Sequence, residues 1–308
     1  MNLHFPPAAE AVRAEFGAWL DANLPAPADG LERPRSTADI PAWARLFQRK
    51  MFDAGWLMPG QPPQFGGRDA PLLEQFVIQE EMMRRRIYHS FNPQGLAIIA
   101  PSILVFGSEE QKRDWALPVL RAEKTAALGM SEPDAGSDLA GLRTRAVATG
   151  SGFIVNGQKV WTSGAHHADF ILTFVRTDPD APKHRGISVL IIPTDSPGVT
   201  RRPFGSICHK DEHDFNEVFF DDVFVPRANL IGELDNGWTV ATGALREERA
   251  MLWLSYYERL DNLIRHFGAQ AHGTEIAADA VTQEWFGRVL VDAAALRLLG
   301  YRTVQKVA

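Results

Sequence analysis

The apolar residues of this chain change period twice, and that alone rules out most architectures. Ala8 to Leu24 carries Val12, Phe16, Trp19 and Leu20 at helical spacing, until Pro25, Pro27 and Gly30 break the run. Pro41 opens a second helix, in the favoured first position, with Trp43, Leu46, Phe47 and Met51 on one side. Further helices are predicted over about 71–90, 94–106 and 109–120, the last with Ser108 as its N-cap. From Thr125 to about Asp235, short β-rich runs alternate with turn signals. Phe153 to Trp161 reads as a hairpin, because Asn156-Gly157 suits a type I′ turn. Ala126 to Met130, Phe170 to Val175, Ile187 to Ile192 and Val218 to Val225 read as further strands, with Pro193, Pro197 and Pro203 between runs. After Gly237 helical spacing returns and persists to Ala308, with one break marked by Gly268 and Gly273. The order predicts an α+β chain: an N-terminal helical domain (1–124), a middle β-domain, barrel-like or a sandwich (125–236), and a C-terminal helical bundle (237–308). Alternating βα units are absent, which argues against a doubly wound sheet.

Composition narrows the function classes. With 308 residues the chain has room for two domains or more, at about 150 residues each. A net charge of −6 argues against a nucleic-acid binder dominated by phosphate contacts. The single cysteine, Cys208, allows neither an intrachain disulfide nor a cysteine-based zinc site. The longest uncharged stretch, Phe91 to Gly107, contains Asn92, Pro93, Gln94 and Pro101 and does not read as a membrane span. A soluble cytoplasmic protein is expected.

Three segments carry chemistry. Ser131-Glu-Pro-Asp-Ala-Gly-Ser-Asp138 follows a strand, and such a small-residue loop presents backbone N–H groups and the hydroxyls of Ser131 and Ser137 to a phosphate or a carbonyl-rich ring. Gly136 lets a ligand approach the main chain; equally, the segment suits a plain turn. In Trp161-Thr-Ser163 an indole could flank a flat ligand and a hydroxyl reach its edge, or the tryptophan could simply cover a sheet. On the helix from 239, Glu248 has Ala244, Leu245, Met251 and Leu252 at i±3 and i±4, so no cation of its own helix pairs with it. A carboxylate on such a stripe lies at a rim or in an apolar pocket, where desolvation prepares a general base. Glu247 has the same surroundings, and spacing does not choose between them. Other patterns are weaker. His209-Lys-Asp-Glu-His213 needs a helix that Pro203, Gly205 and the strand from Phe215 leave no room for, and His166 and His167 point to opposite faces of an extended chain. Arg84-Arg85-Arg86 reads as a solvated helix face. No metal is expected.

In their order and wording, Gly129-Met-Ser-Glu-Pro-Asp-Ala-Gly-Ser-Asp138, Val155-Asn-Gly-Gln-Lys-Val-Trp-Thr-Ser163, Phe215-Asn-Glu-Val-Phe-Phe-Asp-Asp-Val-Phe-Val-Pro226, Gly232 to Gly243 and Glu248-Arg249 resemble the acyl-CoA dehydrogenase family of flavoproteins. The resemblance implies FAD between the β-domain and the C-terminal helices. It implies that the Met130 backbone and Ser131 hydroxyl bond the flavin pyrimidine edge, and that Gly136 and Ser137 lie near the pyrophosphate and the acyl-CoA. Trp161 would flank the ring and Ser163 reach N5. The implied reaction is α,β-dehydrogenation of an acyl-CoA, with Glu248 taking the α-proton, Arg249 beside the substrate and hydride passing to flavin N5. A base on this helix is found in isovaleryl-type, long-chain-type and sterol side-chain dehydrogenases, which points to a branched or bulky acyl group. The implied partners are an electron-transfer flavoprotein as acceptor and further family subunits.

Family members usually continue past the segment resembling Phe286 to Ala308, so the chain is expected to be C-terminally short, its bundle incomplete. The helix over 286–307 carries apolar side chains around much of its circumference and expects cover on several sides. Two alternatives follow: a non-catalytic or half-site subunit that needs a partner to bind flavin, or a relative that passes electrons to oxygen.

Overall fold

The structure is a computed structural model that describes residues 5–24, 42–85, 87, 92–207 and 213–307; the side chains of 42, 244–253, 255 and 305–307 are outside this description. In chain order the helices are α1 (Pro7–Asn23), α2 (Ala42–Asp53), α3 (Leu72–Arg84), α4 (Ala100–Phe106), α5 (Glu109–Gln111), α6 (Leu117–Leu120), α7 (Gly237–Ala271), α8 (Glu275–Ala278) and α9 (Ala280–Val307). Two π-helical turns, Gly95–Ile99 and Lys112–Ala116, join the short helices. The strands are β1 (Ala126–Gly129), β2 (Arg145–Ala148), β3 (Gly152–Lys159), β4 (Phe170–Arg176), β5 (Ile187–Pro193), β6 (Val199–Phe204), β7 (Phe215–Pro226) and β8 (Leu230–Ile231). Helices, sheet and helices follow one another, an α+β order. No helix among the described residues is long and apolar enough to cross a membrane.

Ser108 caps α5 as expected. Its hydroxyl accepts the Gln111 N–H at 3.2 Å while Gln111 Oε1 accepts the Ser108 N–H at 2.9 Å, a reciprocal capping box. Gln111 then turns its Nε2 to the carbonyls of Ala228 and Leu230, tying the helices to the end of the sheet.

The strands form one sheet in the order β6-β7-β3-β2-β4-β5-β8, with β1 parallel to β4, and among the described residues the path does not close on itself. β4 and β5 are buried along almost their whole length, which is why they read as continuous apolar runs and not as alternating ones. Phe153, Val155, Ile171, Leu190, Ile192, Val218 and Phe220 form the core.

The expected hairpin at Asn156-Gly157 does not form. β3 runs straight through it, pairing with β2 and, over its full length, with β7. The pairing with β7 shifts register between Val155 and Gly157, so the dipeptide serves a bulge. Gly157 has φ +146°, and a Cβ there would come within 2.7 Å of the Thr144 Cα. Pro203 is also placed differently, inside β6, a strand paired among the described residues with β7 alone, where a missing N–H is tolerated. Gly268 lies within α7, and the break falls at Gly273, whose φ of +76° ends the helix.

By contacts, the chain divides into two compact units. One collects α1, α3 and the helices from Arg249 onward; the other collects α2, the short helices of 95–120 and the sheet, up to Glu248. In the helical unit Ala9, Phe76, Val77, Leu254 and Val304 pack together, while Val281, Trp285, Val291 and Leu299 of α9 are exposed.

Candidate functional site

The serine loop is built from a buried ion pair upward. Past β1 the chain makes a tight turn, in which Glu132 and Ala135 exchange N–H···O bonds of 2.8 and 3.1 Å. The Glu132 carboxylate accepts the backbone N–H groups of Arg143 at 2.6 Å and Thr144 at 2.8 Å. It also accepts from Lys159 Nζ at 2.8 Å, and Lys159 is 0% exposed. Burial opposes the charge on Glu132, but Lys159 and the backbone donors hold its pKa below the ordinary carboxylate value. Burial brings Lys159 down to about 8 against the pull of Glu132. Lys159 Nζ donates as well to the Met130 carbonyl at 3.0 Å, and the Val160 N–H to the Ser131 carbonyl at 2.9 Å. Both loop carbonyls are therefore engaged inward by the end of β3. Met130 and Ser131 are half-buried, Gly136 and Ser137 are exposed, and a Cβ on Gly136 would meet nothing within 4 Å. Sequence reasoning passed over Lys159 and Glu132. The available signal was a lysine on the same strand parity as the inward Phe153 and Val155.

The hydrogen bond between Val160 and Ser131 brings the Trp161 segment beside this loop. Trp161 has φ +60°, a left-handed backbone that costs a bulky residue about 1–2 kcal/mol. Its indole meets Phe204 and Phe215 edge-on, with centroids 5.1 and 5.4 Å away, yet stays 56% exposed. Ser163 is half-buried and Thr162 fully buried. Within one unit, then, the fold gathers Met130, Ser131, Trp161 and Ser163 around the end of β3. A flat ring with an acceptor-rich edge suits an exposed indole beside backbone donors and hydroxyls.

In the same unit Arg143, Arg145, Arg176 and Lys183 line a cavity of about 380 Å³. Lys183 pairs with Asp138 at 2.7 Å, at the end of the serine loop. The cavity offers positive charge to a phosphorylated ligand.

Glu247, Glu248 and Arg249 lie on α7, where the chain passes from one unit to the other, and their side chains are outside the described residues. Cys208 and His209 to Glu212 are also outside them, as is Arg86; His213 lies on non-helical chain directly before β7. No group of three or more His, Cys, Asp or Glu among the described residues could hold a metal ion. Arg84 and Arg85 are not simply solvated. Both pair with the buried Glu81, at 2.7 and 2.6 Å, and Arg85 also with Asp21.

The helical unit holds a second buried network. Glu80, 4% exposed, accepts from Tyr301 Oη at 2.5 Å, Arg13 Nη2 at 2.7 Å and Arg297 Nη2 at 3.3 Å. Burial, then the charges of Glu80 and Asp261, push nearby Glu258 up to about 7. No local pattern signals this network, because its partners come from α1, α3, α7 and α9.

Family models divide the chain into three consecutive segments. The model for the acyl-CoA dehydrogenase N-terminal domain matches residues 6–123, that for the middle domain 127–223 and that for the C-terminal domain 235–308. The chain is 37% identical over 265 residues to acyl-CoA dehydrogenase FadE29 of Mycobacterium tuberculosis, covering 84% of this chain and 67% of that protein. It is 35% identical to FadE34 of the same organism over 89% of this chain, but spans only 38% of that longer protein. Among solved structures, "Tcur3481-Tcur3483 steroid ACAD" superposes with a TM-score of 0.85 at 32% identity, covering 100% of this chain and 78% of that one.

Proposed function

Because this chain belongs to the acyl-CoA dehydrogenase family of FAD-dependent oxidoreductases, we propose that it catalyses the α,β-dehydrogenation of an acyl-CoA thioester. The observation that carries this reading is the joint between serine loop and tryptophan segment: buried Lys159 and the Val160 N–H draw two loop carbonyls inward beside an exposed indole. These residues fit FAD. The Met130 backbone and Ser131 hydroxyl would hold the pyrimidine edge of the ring, Trp161 its face and Ser163 the N5 side, with Gly136 and Ser137 by the pyrophosphate. FAD, when bound, supplies the acceptor for the substrate's β-hydrogen as hydride.

Glu248 is the base that removes the α-proton, and Arg249 and Ser137 hold the substrate. The cationic cavity next to Asp138 supports binding of a CoA ester, whose phosphates need positive charge. A bulky, steroid-derived acyl group is the proposed substrate class, supported by the likeness to a protein described as a steroid ACAD and by the helical position of the base. An electron-transfer flavoprotein is the proposed acceptor, and a second family subunit the proposed partner.

The test is an anaerobic panel of acyl-CoA esters followed by flavin bleaching. Glu248→Gln should retain FAD and lose turnover on the order of 10²–10⁴-fold, the range for removal of a general base. Near-normal turnover in that variant refutes the base, and peroxide formation in air points to the oxygen-using alternative. The paired name of the structural neighbour favours a second reading, a half-site subunit: a purified chain that is colourless alone and becomes yellow only with a partner would establish it.

A further inference from the structure

The backbone around Trp161 is held by a pair of side chains that the proposed chemistry does not use. The Asn216 carbonyl accepts the Thr162 N–H at 3.2 Å, and Asn216 Nδ2 donates to the Thr162 carbonyl at 3.1 Å, so Thr162 is clamped at both of its peptide groups. The same Nδ2 lies 2.9 Å from Nδ1 of His166. A carbonyl oxygen can only accept, so the amide atom facing it is the donor nitrogen, and Nδ1 of His166 is an acceptor. His166 is thereby held as the neutral tautomer protonated on Nε2. Asn216 and Thr162 are both 0% exposed, and Asn216 Oδ1, Thr162 Oγ1 and His166 Nε2 have no hydrogen-bond partner among the described residues.

We infer that His166 is a positioning residue, acting through Asn216 to hold Trp161 and Ser163 in place, and that it does so only as the neutral imidazole. The inference rests on the flavin reading above for its consequence, and on the Thr162–Asn216–His166 geometry for its mechanism. Protonation places a hydrogen on Nδ1, facing the amide N–H that Nδ1 now accepts. Either the bond between His166 and Asn216 is lost, or the amide turns over and sets Oδ1 against the Thr162 carbonyl oxygen. In the second case one arm of the clamp becomes a repulsion beside a strained left-handed residue.

The surroundings resist that protonation. Burial is the first cause holding His166 below the ordinary histidine value; the charges of His167 and His213 act in the same direction, and that of Asp214 against it. The His167 ring lies 4.1 Å away, centroid to centroid, and Arg201 Nη1 donates to the His166 carbonyl at 3.4 Å, adding a cation to the same side.

Two readouts test the inference on the full chain. The first is NMR of ¹⁵N-labelled histidine, with His166 assigned by its loss in His166→Gln. At about pH 7.5 the signal should be that of the Nε2–H tautomer. In Asn216→Asp a carboxylate would accept from Nδ1, so the tautomer should switch and the cation persist to higher pH. An Nδ1–H tautomer or a cation in the parent protein, or no change in Asn216→Asp, overturns the clamp. The second is titration with FAD from about pH 7.5 down through the His166 transition, located by the same NMR signal. Affinity should fall about tenfold per pH unit below the His166 pKa, and the step should vanish in His166→Gln, whose amide does not titrate. A step that survives in His166→Gln overturns the positioning role. A protein that binds no FAD at pH 7.5 refutes the flavin reading instead, and the NMR result still decides the clamp.

Discussion

Glu132 in the sheet-bearing unit and Glu258 in the helical unit are both buried, at 8% and 7% exposure, yet they are pushed in opposite directions. Glu132 has a lysine and two backbone N–H groups aimed at its oxygens and stays charged. Glu258 faces the charges of Glu80 and Asp261, which together with burial outweigh the pull of Arg297 and Arg265, while Tyr301 and Arg13 donate to Glu80. Burial is the same for both. The count of aimed donors decides which acid is ionised. The paired acid lies under the loop proposed to meet the cofactor, where a fixed backbone matters; the acid facing like charges lies among helices.

The sharpest way to break this contrast is Lys159→Met. It leaves Glu132 buried without its cation, and the expected loss is about 3–5 kcal/mol of unfolding free energy in a denaturant titration. Replacing both partners with apolar residues should recover much of that loss; if the single substitution is harmless, the pair does not hold the loop. Next comes Tyr301→Phe, which removes one donor from Glu80. Because Arg13 and Arg297 remain, the loss should be smaller, about 1.5 kcal/mol, by the same titration.

Smallest, and opposite in sign, is Glu258→Gln. The folded-state pKa of Glu258 is raised from an ordinary 4.5 to about 7, so its contribution is fully present below pH 4.5 and is lost as pH rises through 7. The variant should therefore be more stable than the parent at pH 8, by roughly 1 kcal/mol after allowance for solvent screening, and close to it at pH 5. Thermal midpoints at the two pH values check this, and a variant less stable than the parent at pH 8 would mean that Glu258 is charged and paired.

Much of the fold was legible because it is local. The stripe Phe16–Leu20, the Ser108 cap and the buried runs of β4 and β5 are properties of neighbouring residues, and they form where their spacing predicts. Asn156-Gly157 failed for a nonlocal reason: its turn chemistry was outweighed by β7, whose residues 218–226 pair along the whole of β3. The candidate site divides in the same way. Ser131, Ser137, Trp161 and Ser163 stood out by their residue types and motif wording. Lys159 with Glu132, and Asn216 with His166, did not, because each pair is separated by 27 or 50 residues and means nothing until the sheet closes the distance.

By itself, then, the sequence determined the order of helices, sheet and helices, the loop and indole proposed to meet the cofactor, and the family likeness. Period, capping and motif chemistry act over a few residues and need no partner. Only the tertiary structure decided which buried charges are matched, which turn becomes a bulge and which imidazole nitrogen must accept. Those outcomes depend on the donors that distant strands and helices bring within hydrogen-bond reach.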